Sequence, residues 1–490
     1  MGDPTRHARP VRLSELRDAL GAGTLEGDGA FVGVVHDSRL VAPGVAFVAI
    51  PGFTSDGHAY LPDALAAGAA AAIVERDVAV SVPHLVVPDA RRALAVAAEL
   101  AYGRPSDRLA VVGVTGTNGK TTVTHLLEAI ARAAGRRTAV VGTVGARIGD
   151  RRVETTRTTP EADDLQRILA EAVVEGVDVV AVEVSSHALA LGRVDGIGFA
   201  VSAFTNLGQD HLDFHGTMEA YFRAKAGLFE QARTAQAVVF VDDPAGRRLL
   251  EELEVPSLSV SVGGRADVVA DDLELRPDGT TFRLRIGEVV DLPVRLPLPA
   301  RFNVANAAVA AGIAHLLGID GDAVVEGLEA VGTIPGRLEA VPGGRHVVVD
   351  YAHTPDAVAT VVAAARELTA GRIIVVVGAG GDRDRTKRPA MGAAASAADV
   401  VVVTSDNPRS EDPAEIVAEV AAGVAGTDLV VEVDRRTAIH RAVALAGVDD
   451  LVLVLGKGHE RGQEIDGVVH PFDDRTVAAE AMARLEEAGG

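Results

Sequence analysis

Leu109-Ala-Val-Val-Gly-Val-Thr-Gly-Thr-Asn-Gly-Lys-Thr-Thr122 decides the fold. An apolar run, a glycine-bearing turn and a Lys-Thr pair precede a helical pattern at Val123, Leu126, Leu127 and Ile130. Strand, loop and helix in that order form the context of a phosphate-cradling loop. Gly116 and Gly119, flanking Thr117 and Asn118, let backbone amides approach phosphate oxygens, and the helix N-terminus adds partial positive charge. Lys120 is placed to neutralise the β- and γ-phosphates, and the Thr121 hydroxyl, followed by Thr122, suits a magnesium ion. The standard spacing asks for glycine at position 114, where this chain has Val114. The loop is therefore a variant.

Working outward, 490 residues exceed one ordinary core, and three domains is the natural expectation. A chain that is 48% hydrophobic and 24% charged has the composition of a globular protein. Its apolar runs are short and broken, so no membrane-spanning segment is expected, and the first ten residues lack the apolar core of a signal peptide. There are no cysteines, which excludes disulfides, thiolate metal sites and cysteine nucleophiles and makes a cytoplasmic location the simplest expectation. The net charge of −22 disfavours nucleic acid and anionic membranes as partners. Anionic ligands must then be held by local cations and backbone amides.

Three regimes follow one another. Residues 1–108 read as a small mixed α/β unit, with strands near Val45–Ile50, Ala70–Val74 and His84–Val87. Residues 109–335 alternate Val-rich strands with helices, the pattern of a parallel sheet covered on both faces. Segment 258–298 breaks that rhythm and reads as a small antiparallel appendage before a helix at Asn303–Leu317. Ile334-Pro-Gly-Arg337 reads as a hinge, and residues 336–490 have the period of a Rossmann-like domain. The fold class is α/β throughout.

Polar groups gather at the expected strand ends, where open α/β sheets bind ligands. Glu183 closes Val179-Val-Ala-Val-Glu183 and reads as a magnesium ligand, as a solvated strand-end carboxylate, or as a helix-capping partner for Ser185. His211 and His215, in Asp210-His-Leu-Asp-Phe-His-Gly216, are open to three readings: metal ligands, general bases or loop hydrogen-bonders. Lys225 lies in a helical pattern whose Tyr221, Phe222, Leu228 and Phe229 face a core, and by default it is a solvated cation.

Taken together, Gly116–Thr122, Glu183-Val-Ser-Ser-His187, Asn206 with Asp210–Gly216, and Tyr221 with Lys225 and Phe229 resemble the Mur ligase family. These are ATP-dependent amide-forming ligases of peptidoglycan precursor synthesis, and valine at position 114 matches the family's loop. The resemblance spans the chain in the order UDP-binding, ATPase and amino-acid domain. It implies that Lys120 holds the ATP phosphates, that Thr121 and Glu183 hold one Mg²⁺, and that His211 binds a second. Lys225 resembles the family's carbamylated lysine, whose carbamate oxygens would face metal. Asn303, Asn306, Arg337 and Asp350 correspond to nucleotide contacts.

Within the family, Ser38 of His36-Asp-Ser-Arg39 and Phe53, Thr54 and Ser55 resemble loops that hold UDP-N-acetylmuramoyl dipeptide. Thr158, Thr159, Ser185 and Arg193 match contacts to the muramoyl dipeptide. Asp406-Asn407-Pro408-Arg409, with Arg383, Gly456 and Glu460, resembles the site of members that add meso-diaminopimelate. Arginines can grip the extra carboxylate in a fork, and Glu460 can take the adjoining ammonium. The implied enzyme, a monomer, joins diaminopimelate to UDP-N-acetylmuramoyl-L-alanyl-D-glutamate through an acyl phosphate. Its C-terminal domain would close about the hinge near Arg337. The alternatives are a lysine-adding relative, a folate polyglutamate ligase, and a phosphate-loop regulator that binds nucleotide without ligating.

Overall fold

The computed structural model describes residues 3–489 apart from 54 and 277. Three main sheets carry the chain. The first has five strands in the order Thr24–Glu26, His84–Val86, Ala71–Val74, Ala46–Val48 and Val34–Val35; all neighbours are parallel except the first pair. Helix Ala90–Ala101 covers it and packs against helix Ala162–Val174, so that Ala162 and Ala170 belong to the same apolar cluster.

The second sheet has eleven strands. Ala110–Thr115 lies between Val179–Glu183 and Val201–Phe204, all parallel. Thr138–Gly142 and Ala237–Phe240 flank them, also in parallel. Val179, Val180, Val182 and their neighbours are buried on both faces, which is why these strands read as continuous apolar runs. Register places Glu183 opposite Val114 and Phe204 opposite Thr115, so three strand ends stop level with the phosphate loop. The chain reaches the strand beside Ala110–Thr115 only after visiting the one beyond it. This order opens a crevice at the carboxyl edge.

The antiparallel strands Val268–Arg276, Gly279–Ile286 and Val290–Leu296 continue this sheet rather than forming a separate one. Ser257–Val262 joins them to it through parallel pairing on both sides. One face of the meander packs under helix Arg301–Leu316, and that half-burial accounts for the broken sequence rhythm. Helix Lys120–Ala133 packs on Arg301–Leu316 and Gly321–Glu329, contributing Val123, Leu126, Leu127 and Ile130 to the main core. Each such burial stabilises by about 1.5–3 kcal/mol.

The third sheet runs Glu339–Val341, His346–Asp350, Leu451–Leu455, Ile373–Val377, Val400–Val403 and Asp428–Val431, with only the first strand antiparallel. Arg435 and Asp474 form a fully buried pair at 2.6 Å, and Arg435 also donates to the Leu455 carbonyl at 2.9 Å. This ties the last helix to the end of the central strand.

His36 crosses from the first sheet to the second. Its amide donates to Asp163 at 3.2 Å and its Nδ1 lies 2.9 Å from the same carboxylate. Burial opposes the ring's charge, but Asp163 with Glu161 and Asp164 outweighs it, raising the pKa from 6.5 to about 9. A raised folded-state value means stability that is full below pH 6.5 and lost as pH rises through about 9. The swing is on the order of 3 kcal/mol at most. Tm should therefore fall between those limits, and His36→Ala should flatten that part of the profile. Parallel wild-type and His36→Ala profiles of Tm against pH would refute the assignment.

Candidate active site

The phosphate loop is held from the next strand end. The Thr117 amide donates to the Asn206 carbonyl and the Asn118 amide to Asn206 Oδ1, each at 2.9 Å. Thr205 Oγ1 donates to the Asn118 carbonyl at 2.6 Å. Two loop amides are thus committed to fixing the loop. The amides of Lys120, Thr121 and Thr122 open the helix, where first-turn N–H groups have no intrahelical acceptor, and serve incoming oxygens. Gly119 is left-handed at φ 89°, and a Cβ there would run into the Asn306 side-chain oxygen.

Lys120 Nζ donates to the carbonyls of Gly116 at 2.8 Å and Thr117 at 2.9 Å. Burial lowers its pKa, Glu183 opposes that shift and Arg337 adds to it. Thr121 Oγ1 donates to Glu183 Oε2 at 3.0 Å and accepts from Arg337 at 3.0 Å. Glu183, 1% exposed, also accepts from the Thr143 amide and hydroxyl, each at 3.0 Å. It is neither solvated nor a helix cap: Ser185 caps its own helix by accepting from the Ala188 amide at 3.2 Å.

Lys225 is not a solvated cation. It is 1% exposed, donates to the Gly116 carbonyl at 2.8 Å and lies 4.5 Å from the Tyr221 ring centroid. Burial, and then the charge of Lys120, push its pKa well below 10.5. Over it lies a cluster of rings, with His187 edge-on to His211 at 4.6 Å and tilted over Phe214 at 4.3 Å. Burial lowers His211 to about 4 against the pull of Asp210, so the imidazole is neutral at pH 7. His211 sits at φ 54°, a left-handed conformation uncommon for a non-glycine residue. His215 Nε2 lies 2.9 Å from Ser186 Oγ.

Two clefts meet here. The larger, about 770 Å³, is lined by Thr117–Thr122, Glu183, Thr158, Ser185 and His211, and by Asn303, Asn306, Arg337 and Asp350. The smaller, about 310 Å³, is lined by Arg383, Asp406, Asn407, Arg409, Gly456 and Glu460. Asp210, His211, Tyr351 and His353 line both. Asp350 accepts the Leu338 and Ala352 amides at 2.8 Å each, and thereby shapes the turn that presents Arg337. Arg409, at φ 53°, donates to the Gly381 carbonyl at 2.6 Å.

Other expected residues stand apart from both clefts. Thr159 is wholly buried, donating to the Glu183 carbonyl at 2.8 Å and accepting the Ser185 amide at 3.0 Å. Arg193 pairs with Glu161 at 2.9 Å. Ser38 lies in a short turn, while Phe53, 79% exposed, lies 6.0 Å edge-on to Phe214, with Ser55 on the same loop. Pro408 shapes the turn without lining the cleft, and Thr54 lies outside the described residues. Thr143, Tyr351 and His353, and Asp210 beyond its place in the motif, also line the clefts although the sequence motifs assign them no role. Thr143 follows Thr138–Gly142, so the strand-end rule that found Glu183 could have found it.

A phosphate loop under a switch point, with an adjoining cleft lined largely by residues of the third-sheet region, defines an α/β nucleotide-binding protein with room for a second ligand. Mur ligase family patterns match residues 30–102 (catalytic domain), 114–314 (middle domain) and 336–458 (glutamate ligase domain). The chain is 46% identical to the UDP-N-acetylmuramoyl-L-alanyl-D-glutamate--2,6-diaminopimelate ligase of Streptomyces avermitilis, covering 98% of each chain. It is 45% identical to the ligase of that name from Geobacillus thermodenitrificans, over 93% of this chain and 96% of that one. A solved structure of a ligase of that name matches with TM-score 0.66 and 36% identity, over 93% of this chain and 95% of that one. The chain belongs to the Mur ligase family and is an ATP-dependent ligase.

Because Gly119 needs both its left-handed φ and the space beside Asn306, Gly119→Ala is expected to weaken ATP binding at least tenfold. Calorimetric titration with a non-hydrolysable ATP analogue checks this; an unchanged Kd would show that the loop does not depend on that geometry.

Proposed function

We infer that this ligase, a cytoplasmic monomer, joins meso-2,6-diaminopimelate to the glutamyl γ-carboxylate of UDP-N-acetylmuramoyl-L-alanyl-D-glutamate in peptidoglycan precursor synthesis. The observation that carries this reading is the smaller cleft. It brings Arg383 and Arg409 together with Glu460, a carboxylate grip beside an ammonium acceptor, and it opens onto the nucleotide cleft at His211. The relatives' shared name agrees with it. No helix among the described residues is long and apolar enough to cross a membrane.

The reaction has two halves. The γ-carboxylate attacks the γ-phosphorus of ATP, ADP leaves, and an acyl phosphate forms. The amino group of diaminopimelate then attacks that carbonyl, phosphate leaves, and a proton is released. Lys120 and the first-turn amides hold the phosphates, and Arg337 brings a further cation to Thr121. Transfer of this kind depends on positioning and charge neutralisation. Thr158 and Ser185 lie where the muramoyl peptide meets the phosphates, with Arg193 and Thr159 stiffening the wall behind them. Ser38 and Phe53–Ser55 take the uridine end.

The donor set fits magnesium. Thr121 and Glu183 offer hard oxygens at one point, and the neutral His211 imidazole faces the same cleft. Bound there, two Mg²⁺ ions would neutralise charge developing on the phosphates. Among the described residues there is no cage of three or more acidic or histidine side chains. A magnesium that shares substrate phosphates needs none. The depressed pKa of Lys225 supports its modification: an uncharged amine can attack carbon dioxide, lose a proton and become a carbamate.

Phosphate release should require ATP, the UDP-muramoyl dipeptide and diaminopimelate together, with lysine at least about 100-fold poorer in kcat/KM because it leaves the arginines unpaired. Equal use of lysine would favour the lysine-adding reading. Turnover on folate acceptors, or without any acceptor, would favour the two remaining alternatives. Lys225→Ala should lose at least 100-fold in kcat and recover in part with short-chain carboxylic acids. Full activity in that variant would remove the carbamate from the mechanism.

A further inference from the structure

Lys457, in Gly456-Lys-Gly-His-Glu460, lies behind the smaller cleft and is wholly buried at 0% exposure. A buried ammonium is tolerated only where its charge and its three donors are matched. Its Nζ donates to Asn407 Oδ1 and to Glu460 Oε2, each at 2.9 Å, and stands 4.0 Å from Asp406 Oδ1. Asn407 Nδ2 donates to the same Glu460 oxygen at 2.9 Å, and Asn407 Oδ1 also accepts the Glu464 amide at 3.0 Å. One oxygen of Glu460 therefore carries two donors, and Oε1 is left for a ligand. The Glu460 side chain is 32% exposed and forms part of the cleft wall.

We propose that Lys457 is a positioning residue for the amino-acid substrate: it fixes the rotamer of Glu460 and balances its charge, so that Oε1 meets the substrate ammonium. The proposal rests on reading this cleft as the diaminopimelate site. A glutamate on an exposed loop has three free torsions, and freezing them on binding weakens affinity. Held by Lys457 and Asn407, Glu460 is ordered before the ligand arrives. Lys457 also offsets two neighbouring carboxylates, Asp406 and Glu460, from the side away from the ligand. Arg383 in front, which pairs with no carboxylate among the described ion pairs, then remains available for the ligand's own carboxylate, while Arg409 is shared with Glu464 at 3.4 Å. Lys457 touches no substrate in this scheme and acts through Glu460.

The test compares wild type, Lys457→Met, Glu460→Gln and Lys457→Met/Glu460→Gln in steady-state kinetics with all three substrates. Lys457→Met should raise the KM for diaminopimelate at least tenfold. The KM values for ATP and the UDP-muramoyl dipeptide, and kcat at saturating diaminopimelate, should stay within threefold. The double variant should be no worse than about Glu460→Gln alone, because the lysine then has no carboxylate to hold. If Lys457→Met does not fold, Lys457→Gln keeps a donor to Asn407, and the double variant removes both members of the buried pair; these carry the same comparison. An unchanged diaminopimelate KM, additive losses in the double variant, or equal rises in all three KM values would overturn the proposal. A wild type indifferent to diaminopimelate would overturn the site reading itself, and the inference with it.

Discussion

Two buried lysines converge on one carbonyl oxygen. Lys120 and Lys225 each donate to the Gly116 carbonyl at 2.8 Å, and burial depresses the pKa of both. Burying like charges side by side is costly, and no carboxylate pairs with either amine by direct contact among the described ion pairs. The arrangement makes sense only where anions arrive. ATP phosphates would meet Lys120 from the cleft side, and a carbamate would reverse the charge at Lys225. The rest of the centre follows from this constraint. Asn206 and Thr205 fix the loop whose carbonyl is shared, and His187 and His211, edge-on to each other, line the smaller cleft. A protein of net charge −22 thus binds anionic substrates by concentrating a few cations where water has little access.

The contacts between the phosphate loop and the third sheet rest on the same principle of shared groups. Thr121 Oγ1 lies between Glu183 of the central sheet and Arg337 of the hinge, joining the phosphate loop to the segment that leads into the third sheet. Asp356 at the start of helix Pro355–Leu368 accepts the Gln209 amide at 2.9 Å, and so clamps the loop that carries His211. Both contacts are polar and few. Small polar interfaces between domains leave relative motion as the default expectation. An acyl phosphate would need shielding at this junction, since it must outlast the arrival of the amine without meeting bulk water.

Much of this was legible in the sequence, and for physical reasons. Strands buried on both faces must be nearly continuous in Val, Ile and Ala, so the parallel sheets and their order of appearance were readable from pattern alone. The strand-end rule then located Glu183 and the Asn206–His215 segment without any alignment. What pattern could not supply was burial of charge. Lys225 occupies a helix whose apolar neighbours are spaced as for any amphipathic helix, and only the packed structure removes its solvent. The meander at 268–296 was legible as strands. Its continuity with the main sheet depends on the short parallel pairings of Ser257–Val262, which leave no mark in composition. Lys457 was invisible for a related reason: its partners Asn407 and Glu460 lie fifty and three residues away, and only the fold brings them to one point.

Two of the residues with left-handed backbone lie at the clefts. His211 and Arg409 adopt left-handed backbone conformations at φ 54° and 53°, although neither is glycine, and each lines the smaller cleft. Such conformations cost about 1 kcal/mol or more and persist where the surroundings over-determine them. At Arg409 the surroundings are explicit. Its amide donates to the Glu464 carbonyl at 3.0 Å, its carbonyl accepts the Asp466 amide at 2.7 Å, and its guanidinium donates to Gly381. The backbone is pinned on both sides so that the side chain projects into the cleft. At His211 the ring projects into the region common to both clefts. Relaxing His211 would swing its ring away from the region common to both clefts, and relaxing Arg409 would move its guanidinium within the smaller one. Of the non-glycine residues in this conformation, His211 and Arg409 are the two that line the smaller cleft, and His211 alone of them lines the larger one as well.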